Sequence, residues 1–205
     1  MSPMTTLPKS LNGDGRYGLA LLLLVLALLA LTAGGDHVRD GLQWRRSDLS
    51  AGEWWRLVTG HFVHLDFRHA LLNATGLVLV WALYARAWKP VQWLVVIVIT
   101  LATIDLGLWF FVPALSWYVG ASGLLHGLIA GGLAAQWRGQ WRGERGIAIV
   151  VGLLLAAKLV VEHLHGALPF TDGQQHVVLE SHAFGALGGL CAGVALALAP
   201  RRKRL

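Results

Sequence analysis

Charged residues and cysteines are both scarce in this chain. Asp, Glu, Lys and Arg make up 14% of its 205 residues, whereas hydrophobic residues make up 56%. With a mean hydropathy of +0.58, the chain is too apolar for an ordinary soluble domain. The single cysteine, Cys191, excludes an intramolecular disulfide and is best explained as a small packing residue. The composition therefore predicts a polytopic membrane protein.

Long polar segments are absent as well. A window of about 19 residues finds six apolar stretches, each near the roughly 20 residues that cross a bilayer as a helix. The stretches are 17–33, 69–85, 91–112, 120–137, 146–161 and 177–199. The first is long for the apolar part of a signal peptide, so a retained helix is the simpler interpretation and cleavage the alternative. We predict one all-α, six-helix membrane domain over residues 1–205, with no room for a soluble catalytic domain.

The basic residues are distributed by side of the predicted membrane. The segments on the side of the N-terminus carry Lys9, Arg16, Arg86, Lys89, Arg138, Arg142, Arg145, Arg201, Arg202, Lys203 and Arg204. In the first loop on the other side, Arg39, Arg45, Arg46 and Arg56 are offset by Asp36, Asp40, Asp48 and Glu53. This positive-inside pattern predicts cytoplasmic termini, with the C-terminal basic run against anionic lipid heads. The net charge of +6 is then explained by basic residues on the cytoplasmic side of the bilayer, and no nucleic-acid partner is expected.

Polar residues in three of the predicted spans fall at similar depth near the outer face. Counting about 1.5 Å per residue, His69 and Asn73 lie in the first two turns of the second span, and Ser122 in the first turn of the fourth. His182 lies roughly two turns into the sixth. Polar side chains are costly in lipid and tend to face a bundle interior or a wet cavity. We therefore predict that these four side chains meet in one site.

Glycines beside Ser122 and His182 favour close contact between the fourth and sixth spans. Close helix packing is predicted at Gly123, Gly127, Gly185 and Gly189. Such packing would bring the serine and the histidine toward the roughly 3 Å that proton transfer requires. A serine in the first helical turn lies beside unpaired backbone N–H groups and the positive end of the helix dipole, which can stabilise an oxyanion. The pattern indicates a serine nucleophile with a histidine base.

An acid that would complete a triad is not evident. Glu180 is two residues from His182 and points about 200° away around the helix. Asp105 and Lys158 lie near the outer ends of their spans, where we expect pairing within the bundle rather than a catalytic role. The prediction is a dyad, with His126 or a backbone carbonyl orienting the imidazole.

These motifs together resemble the rhomboid family of intramembrane serine proteases. The resemblance rests on Glu53-Trp54-Trp55-Arg56, His64-x-x-x-x-His69-x-x-x-Asn73, Gly120-Ala121-Ser122-Gly123 and His182-x-x-Gly185-x-x-x-Gly189, in this order. It implies that Ser122 is the nucleophile and His182 the general base and then acid. It also implies that His69 and Asn73 assist the Ser122 N–H in binding the oxyanion, and that Trp55, Arg56 and His64 hold the first outer loop in shape. No cofactor and no metal is implied.

One departure from the common rhomboid pattern is His126, which stands where many members have tyrosine. Its spacing from Ser122 predicts that it stacks on His182 or hydrogen-bonds to it. The short chain and the run Gly-Ala-Ser-Gly-Leu-Leu-His-Gly are most similar to the rhombosortase subgroup. That resemblance implies membrane-anchored substrates: exported bacterial proteins with a C-terminal sorting signal of Gly-Gly, an apolar helix and a basic tail. It further implies the bacterial inner membrane, with the active site facing the periplasm.

Other functions stay open from the sequence. The chain could be a rhomboid protease with different transmembrane substrates. A haem protein could use His64, His69, His126 and His182 as ligands, although Ser122 and Asn73 would then be unexplained. A transporter would be favoured by an inverted repeat, and none is apparent.

Overall fold

A computed structural model describes residues 12, 14–137, 142–166 and 178–199, without the side chains of 142–144. Within these ranges the helices are α1 (Gly18–Ala33), α2 (Gly35–Leu42), α3 (Arg46–Ser50), α4 (Arg56–Thr59), α5 (Phe67–Tyr84), α6 (Pro90–Phe111), α7 (Ser122–Trp137), α8 (Arg142–His165) and α9 (Leu179–Leu198). Two short strands, β1 (Trp44–Arg45) and β2 (Trp117–Tyr118), pair antiparallel. The predicted basic positions 9, 138 and 201–204 lie outside the described residues. The described fold is thus all-α apart from one strand pair.

The six predicted apolar stretches coincide with α1, α5, α6, α7, α8 and α9. The largest difference is at α8, which occupies Arg142–His165 rather than 146–161. Its last residues include Glu162, His163 and His165, which are too polar for an apolar stretch but continue the helical hydrogen bonding. Hydropathy therefore placed the end of this helix one residue before Glu162.

Three described helices are long and apolar enough to cross a membrane unaided. They are Pro90–Phe111, Arg145–His165 and Leu179–Leu198, and a fourth span results if α1 and α2, bent by 110°, are taken together. The chain is therefore a multi-pass membrane protein. The count of six spans stays a prediction, because α1 and α7 have only 16 residues each and α5 carries polar residues such as His69 and Asn73.

Helix α7 lies at the centre of the bundle, with α9 packed along it and α5, α6 and α8 around it. Gly185 and Gly189 of α9 touch the backbone of α7. A Cβ atom built at Gly185 would collide with the carbonyl oxygen of Gly123, and one at Gly189 with that of Gly127. The four glycines predicted for close packing thus form the α7–α9 contact, where only residues without a side chain fit.

The first outer loop is anchored to the end of α6 by Arg46. Its guanidinium donates hydrogen bonds to the carbonyl oxygens of Leu108, Trp109, Val112 and Leu115 at 2.8–3.1 Å. Leu108 and Trp109 lie in the last turn of α6, where carbonyls lack helical partners, so a cation there also complements the helix dipole. The loop is consequently held over the end of the bundle where α6 finishes and α7 begins, and its strand β1 pairs there with β2.

Arg56 ties the same loop together from inside. Its buried guanidinium pairs with Glu53 at 2.6 Å and Asp48 at 3.1 Å, and donates to the carbonyl oxygens of Asp40 and Gln43. The ring of Trp55, by contrast, is 53% exposed. The role of Trp55 in holding the loop in shape therefore stays a prediction.

Candidate active site

The nucleophile candidate and the base candidate meet across the α7–α9 contact. Ser122 is the first residue of α7, and its Oγ lies 2.9 Å from Nε2 of His182, the fourth residue of α9. His182 is 1% exposed. This is hydrogen-bond distance, within the range that a serine and its general base require. The glycine contact described above is what allows two helix axes to come close enough for these side chains to meet.

Gly120 makes the turn that starts α7. Its φ is +115°, a backbone conformation that favours glycine. Its N–H donates to the carbonyl oxygen of Gly60 at 3.0 Å, and its own carbonyl oxygen accepts from the Tyr118 hydroxyl at 2.6 Å. Burial raises the pKa of Tyr118, so the hydroxyl stays protonated and able to donate. The turn before Ser122 is therefore held from both sides.

An acid does contact the imidazole of His182, contrary to the sequence expectation. Nδ1 of His182 lies 2.9 Å from Oε2 of Glu162, which is itself 2% exposed on its side chain. The other carboxylate oxygen of Glu162 is paired with Nζ of Lys158, one turn earlier on α8. Ser122, His182, Glu162 and Lys158 thus form one continuous chain of polar contacts.

Sequence reasoning missed Glu162 because it follows the predicted span directly and belongs to no recognisable motif. It is twenty residues from His182 in the sequence, on another helix. The spacing Lys158 to Glu162, four residues apart, was the available signal, since such a pair shares a helix face. The expected pairing of Lys158 within the bundle is observed. Asp105 also pairs as expected, with Nε2 of His61 at 3.2 Å.

His126 lies flat against His182. The two ring centroids are 4.2 Å apart and the planes differ by 11°. Nδ1 of His126 lies 2.7 Å from the carbonyl oxygen of Ser122; because a carbonyl only accepts, Nδ1 carries the proton. Of the two predicted arrangements, stacking on His182 is the one observed, while the hydrogen bond goes to the Ser122 backbone.

His69 of α5 borders the turn that precedes Ser122, and Asn73 lies about one turn further along the same helix. A Cβ atom built on Gly120 would lie 2.7 Å from Cε1 of His69, so the imidazole packs directly over this glycine. Asn73 is 3% exposed, and its amide Nδ2 has no hydrogen-bond partner among the described residues. Buried amide donors are normally paired, so an open one on the helix that borders this turn is available to an oxygen that binds there.

His64 completes this side of the site from the loop before α5. Its ring is buried and meets the His69 ring edge to face, with centroids 5.0 Å apart. Burial, and secondarily the nearby His69, lower the pKa of His64 from 6.5 to about 3. His64 is therefore neutral at physiological pH and packs as an aromatic ring.

The histidines are a poor fit for a metal or a haem. His126, Glu162 and His182 have ligand atoms within 4.8 Å of one another. However, parallel stacked rings direct their lone pairs side by side rather than toward a common ion, and Glu162 is already bound by Lys158 and His182. The contacting ring pairs, His126 with His182 and His64 with His69, also leave no space between them for a haem.

A serine paired with a buried imidazole, at the start of a helix inside an apolar bundle, is the arrangement of an intramembrane serine hydrolase. Comparison with known proteins agrees: a family model described as Rhomboid domain matches residues 51–199. The chain belongs to the rhomboid family and is an intramembrane serine protease. It is also similar to the Bacillus subtilis (strain 168) protein named "Putative rhomboid protease YdcA", with 26% identity over 151 residues, covering 74% of this chain and 71% of the relative.

Proposed function

We propose that Ser122 and His182 form the catalytic pair of this protease and cleave membrane-anchored proteins through an acyl-enzyme. The observation that carries the proposal is the 2.9 Å contact between Ser122 Oγ and His182 Nε2 at the start of α7. A partly exposed hydroxyl at a helix N-terminus and a buried imidazole at that distance have the geometry of an activated nucleophile and its base.

The reaction is acyl transfer in two steps. The Ser122 oxygen attacks the scissile carbonyl carbon while its proton moves to Nε2 of His182. The tetrahedral intermediate then breaks its C–N bond, and the proton passes from His182 to the leaving amine, which leaves an ester on Ser122. Water activated by His182 hydrolyses the ester; another amine or alcohol in the same position would give transfer instead.

The oxyanion is bound by donors on the α5 side of the serine. The backbone N–H of Ser122 lies in the first turn of α7, where it has no helical acceptor. His69 packs over Gly120, and Asn73 has the open amide donor described above. We assign these three donors to the developing negative charge, where one such donor contributes about 10²–10³ in kcat.

The rhombosortase resemblance suggests that the substrates are C-terminal anchors with a Gly-Gly site. A substrate helix has to unwind before its carbonyls can react, because they are hydrogen-bonded within the helix. Glycine is a poor helix former, so a Gly-Gly site lowers this cost. The small residues Gly120 and Gly123 beside Ser122 are already packed against His69 and Ser181, so the preference for glycine rests on this helix cost. The alternative is a rhomboid protease with other transmembrane substrates.

The charge distribution gives the proposed orientation. A single rhomboid domain with six spans and both termini in the cytoplasm places the N-terminal end of α7 at the outer face. In a bacterial inner membrane the catalytic pair then faces the periplasm, where the anchors of exported proteins are exposed.

The deciding experiment is cleavage of a reporter that ends in Gly-Gly, an apolar helix and a basic tail. The wild type should cleave it, while Ser122→Ala and His182→Ala should reduce cleavage to background. Ser47→Ala is the matched control, since this serine is exposed in α3 and away from the site. Equal cleavage by all four proteins would overturn the assignment of the catalytic pair.

A second reporter separates the substrate class from the chemistry. Replacing its two glycines with Val should nearly abolish cleavage if the site selects Gly-Gly. Unchanged cleavage of the Val reporter, or activity confined to ordinary transmembrane substrates, would refute the rhombosortase assignment and leave the catalytic pair intact.

A further inference from the structure

We propose that Glu162 is a positioning residue for His182, and that Lys158 holds the Glu162 carboxylate in place. The inference rests on the proposed function of His182 as the general base. Its observations are the 2.9 Å contact of Glu162 Oε2 with His182 Nδ1 and the ion pair of the other carboxylate oxygen with Lys158. Both ends of the carboxylate are therefore engaged, one by each helix of the α8–α9 contact.

The carboxylate selects the tautomer that catalysis needs. A carboxylate only accepts hydrogen bonds, so the atom facing it, Nδ1 of His182, carries the proton. Nε2 is then unprotonated and can accept the Ser122 proton across the 2.9 Å contact. Without Glu162, the two tautomers of the imidazole would compete, and the one protonated on Nε2 cannot act as a base.

The same contact stabilises the imidazolium that forms during attack. When Nε2 takes the serine proton, His182 becomes positively charged in a site that is almost fully buried. A charge in such a site is costly unless a counter-charge lies beside it. Glu162 supplies that counter-charge at hydrogen-bond distance, as the acid of a serine triad does.

Lys158 makes the buried carboxylate tolerable before the reaction starts. The Glu162 side chain is 2% exposed, whereas that of Lys158 is 28% exposed. A lone buried carboxylate would be strongly disfavoured, while a pair spaced four residues apart on one helix face is compensated. Nζ of Lys158 also lies 3.5 Å from Nδ1 of His182. The Lys158 ammonium therefore holds the Glu162 carboxylate in place, while the Lys158 side chain remains partly exposed at the edge of the site.

The acid lies on a different helix from both the serine and the base. Ser122 and His182 meet through the glycine contact of α7 with α9, whereas Glu162 comes from α8, which packs chiefly on α7. The acid reaches His182 near the outer end of α8. Placing the acid therefore requires α8, whereas α7 and α9 are enough to bring Ser122 and His182 together.

The test compares kcat and KM for wild type, Glu162→Gln, Glu162→Asp and the control Glu180→Gln. Glu180 is exposed and only two residues from His182, so its replacement removes the same charge without removing a contact to the imidazole. We expect Glu162→Gln to lower kcat by about 100-fold or more with KM little changed. Glu162→Asp should recover part of the loss, and Glu180→Gln should match the wild type.

The double variant Lys158→Met/Glu162→Gln tests whether Glu162 merely neutralises Lys158. It removes both charges with side chains of similar length, so it should fold even if Glu162→Gln does not. Positioning by Glu162 predicts a kcat loss as large as that of the single variant. Recovery of the double variant to within about threefold of wild type, or a folded Glu162→Gln with wild-type kcat, would overturn the proposal.

A spectroscopic measurement on folded variants gives a readout independent of catalytic turnover. The proton on Nδ1 of His182, hydrogen-bonded to a carboxylate, should give a low-field proton resonance in wild type that is lost in both Glu162→Gln variants and kept in Glu180→Gln. A resonance that survives Glu162→Gln would contradict the proposal. If instead Ser122→Ala and wild type cleave equally, the proposed function itself fails, which is a different outcome from any of these.

Discussion

The imidazole rings of His126 and His182 lie stacked, with their centroids 4.2 Å apart and their planes 11° from parallel. His126 is held in this position by its own hydrogen bond to the carbonyl oxygen of Ser122. The base is therefore confined on its face by one ring, on its Nδ1 edge by Glu162 and on its Nε2 edge by the serine. Each of these contacts can be altered separately.

Replacing His126 separates stacking from hydrogen bonding. His126→Phe keeps a ring against His182 and should retain kcat within about threefold, whereas His126→Ala removes the ring and should lower kcat about tenfold. Cleavage kinetics with the Gly-Gly reporter measure both. If the Ala and Phe variants lose activity equally, the hydrogen bond to Ser122 matters and the stack does not.

Asn73 should affect the reaction without affecting the fold. Asn73→Ala removes an amide donor that has no partner in the ground state, and we expect a fall in kcat of about 10²–10³-fold. The thermal unfolding midpoint should change little. Gln136 is the matched control: its buried side-chain amide also has no partner among the described residues, and it lies roughly 20 Å along α7 from Ser122. A large loss in Gln136→Ala, or none in Asn73→Ala, would argue against an oxyanion role.

Adding a methyl group at Gly185 should push α7 and α9 apart. The new Cβ would collide with the carbonyl oxygen of Gly123, and overpacking of this kind costs about 1–3 kcal/mol of stability. Because the same contact brings Ser122 to His182, activity should fall with it. Thermal unfolding in detergent and reporter cleavage measure the two effects. Gly146→Ala, which meets nothing within 4 Å, should leave both unchanged.

His64 should make stability depend on pH. Its pKa is lowered from 6.5 to about 3 in the folded chain. As the pH falls, His64 is therefore protonated in the unfolded chain before it is protonated in the folded chain. The stability from keeping His64 neutral is fully present above pH 6.5 and is lost progressively between pH 6.5 and about 3. The unfolding midpoint should fall more steeply over that window in wild type than in His64→Phe. His37→Phe, at an exposed position of α2, should behave as wild type.

Much of the site could be predicted because its residues recur at helical spacing within single helices. The four-residue spacings place His69 with Asn73 and Ser122 with His126 on common faces, and the glycine spacing identifies the face through which α9 meets α7. The all-α membrane fold and the rhomboid family are confirmed. The rhombosortase subgroup and the six spans stay predictions.

Glu162 could not be predicted in the same way. Hydropathy ended the fifth span at residue 161, because the polar residues that follow are unlike lipid-facing ones, yet α8 continues to His165. Trp55 and Arg56 are neighbours in one motif, yet the Trp55 ring is half exposed while the Arg56 guanidinium is buried and paired with Asp48 and Glu53. A sequence pattern does not tell which of two neighbouring side chains points inward.

Composition and residue spacing were enough to predict an apolar helical membrane protein with a serine and a histidine on tightly packing spans. Composition and periodicity depend on residues close together in the chain, so one sequence is enough to read them. Only the tertiary structure decided that Glu162 and Lys158 of α8 face His182 of α9. That pairing depends on the rotation of two separate helices about their axes, and α8 acquires its rotation only by packing against α7.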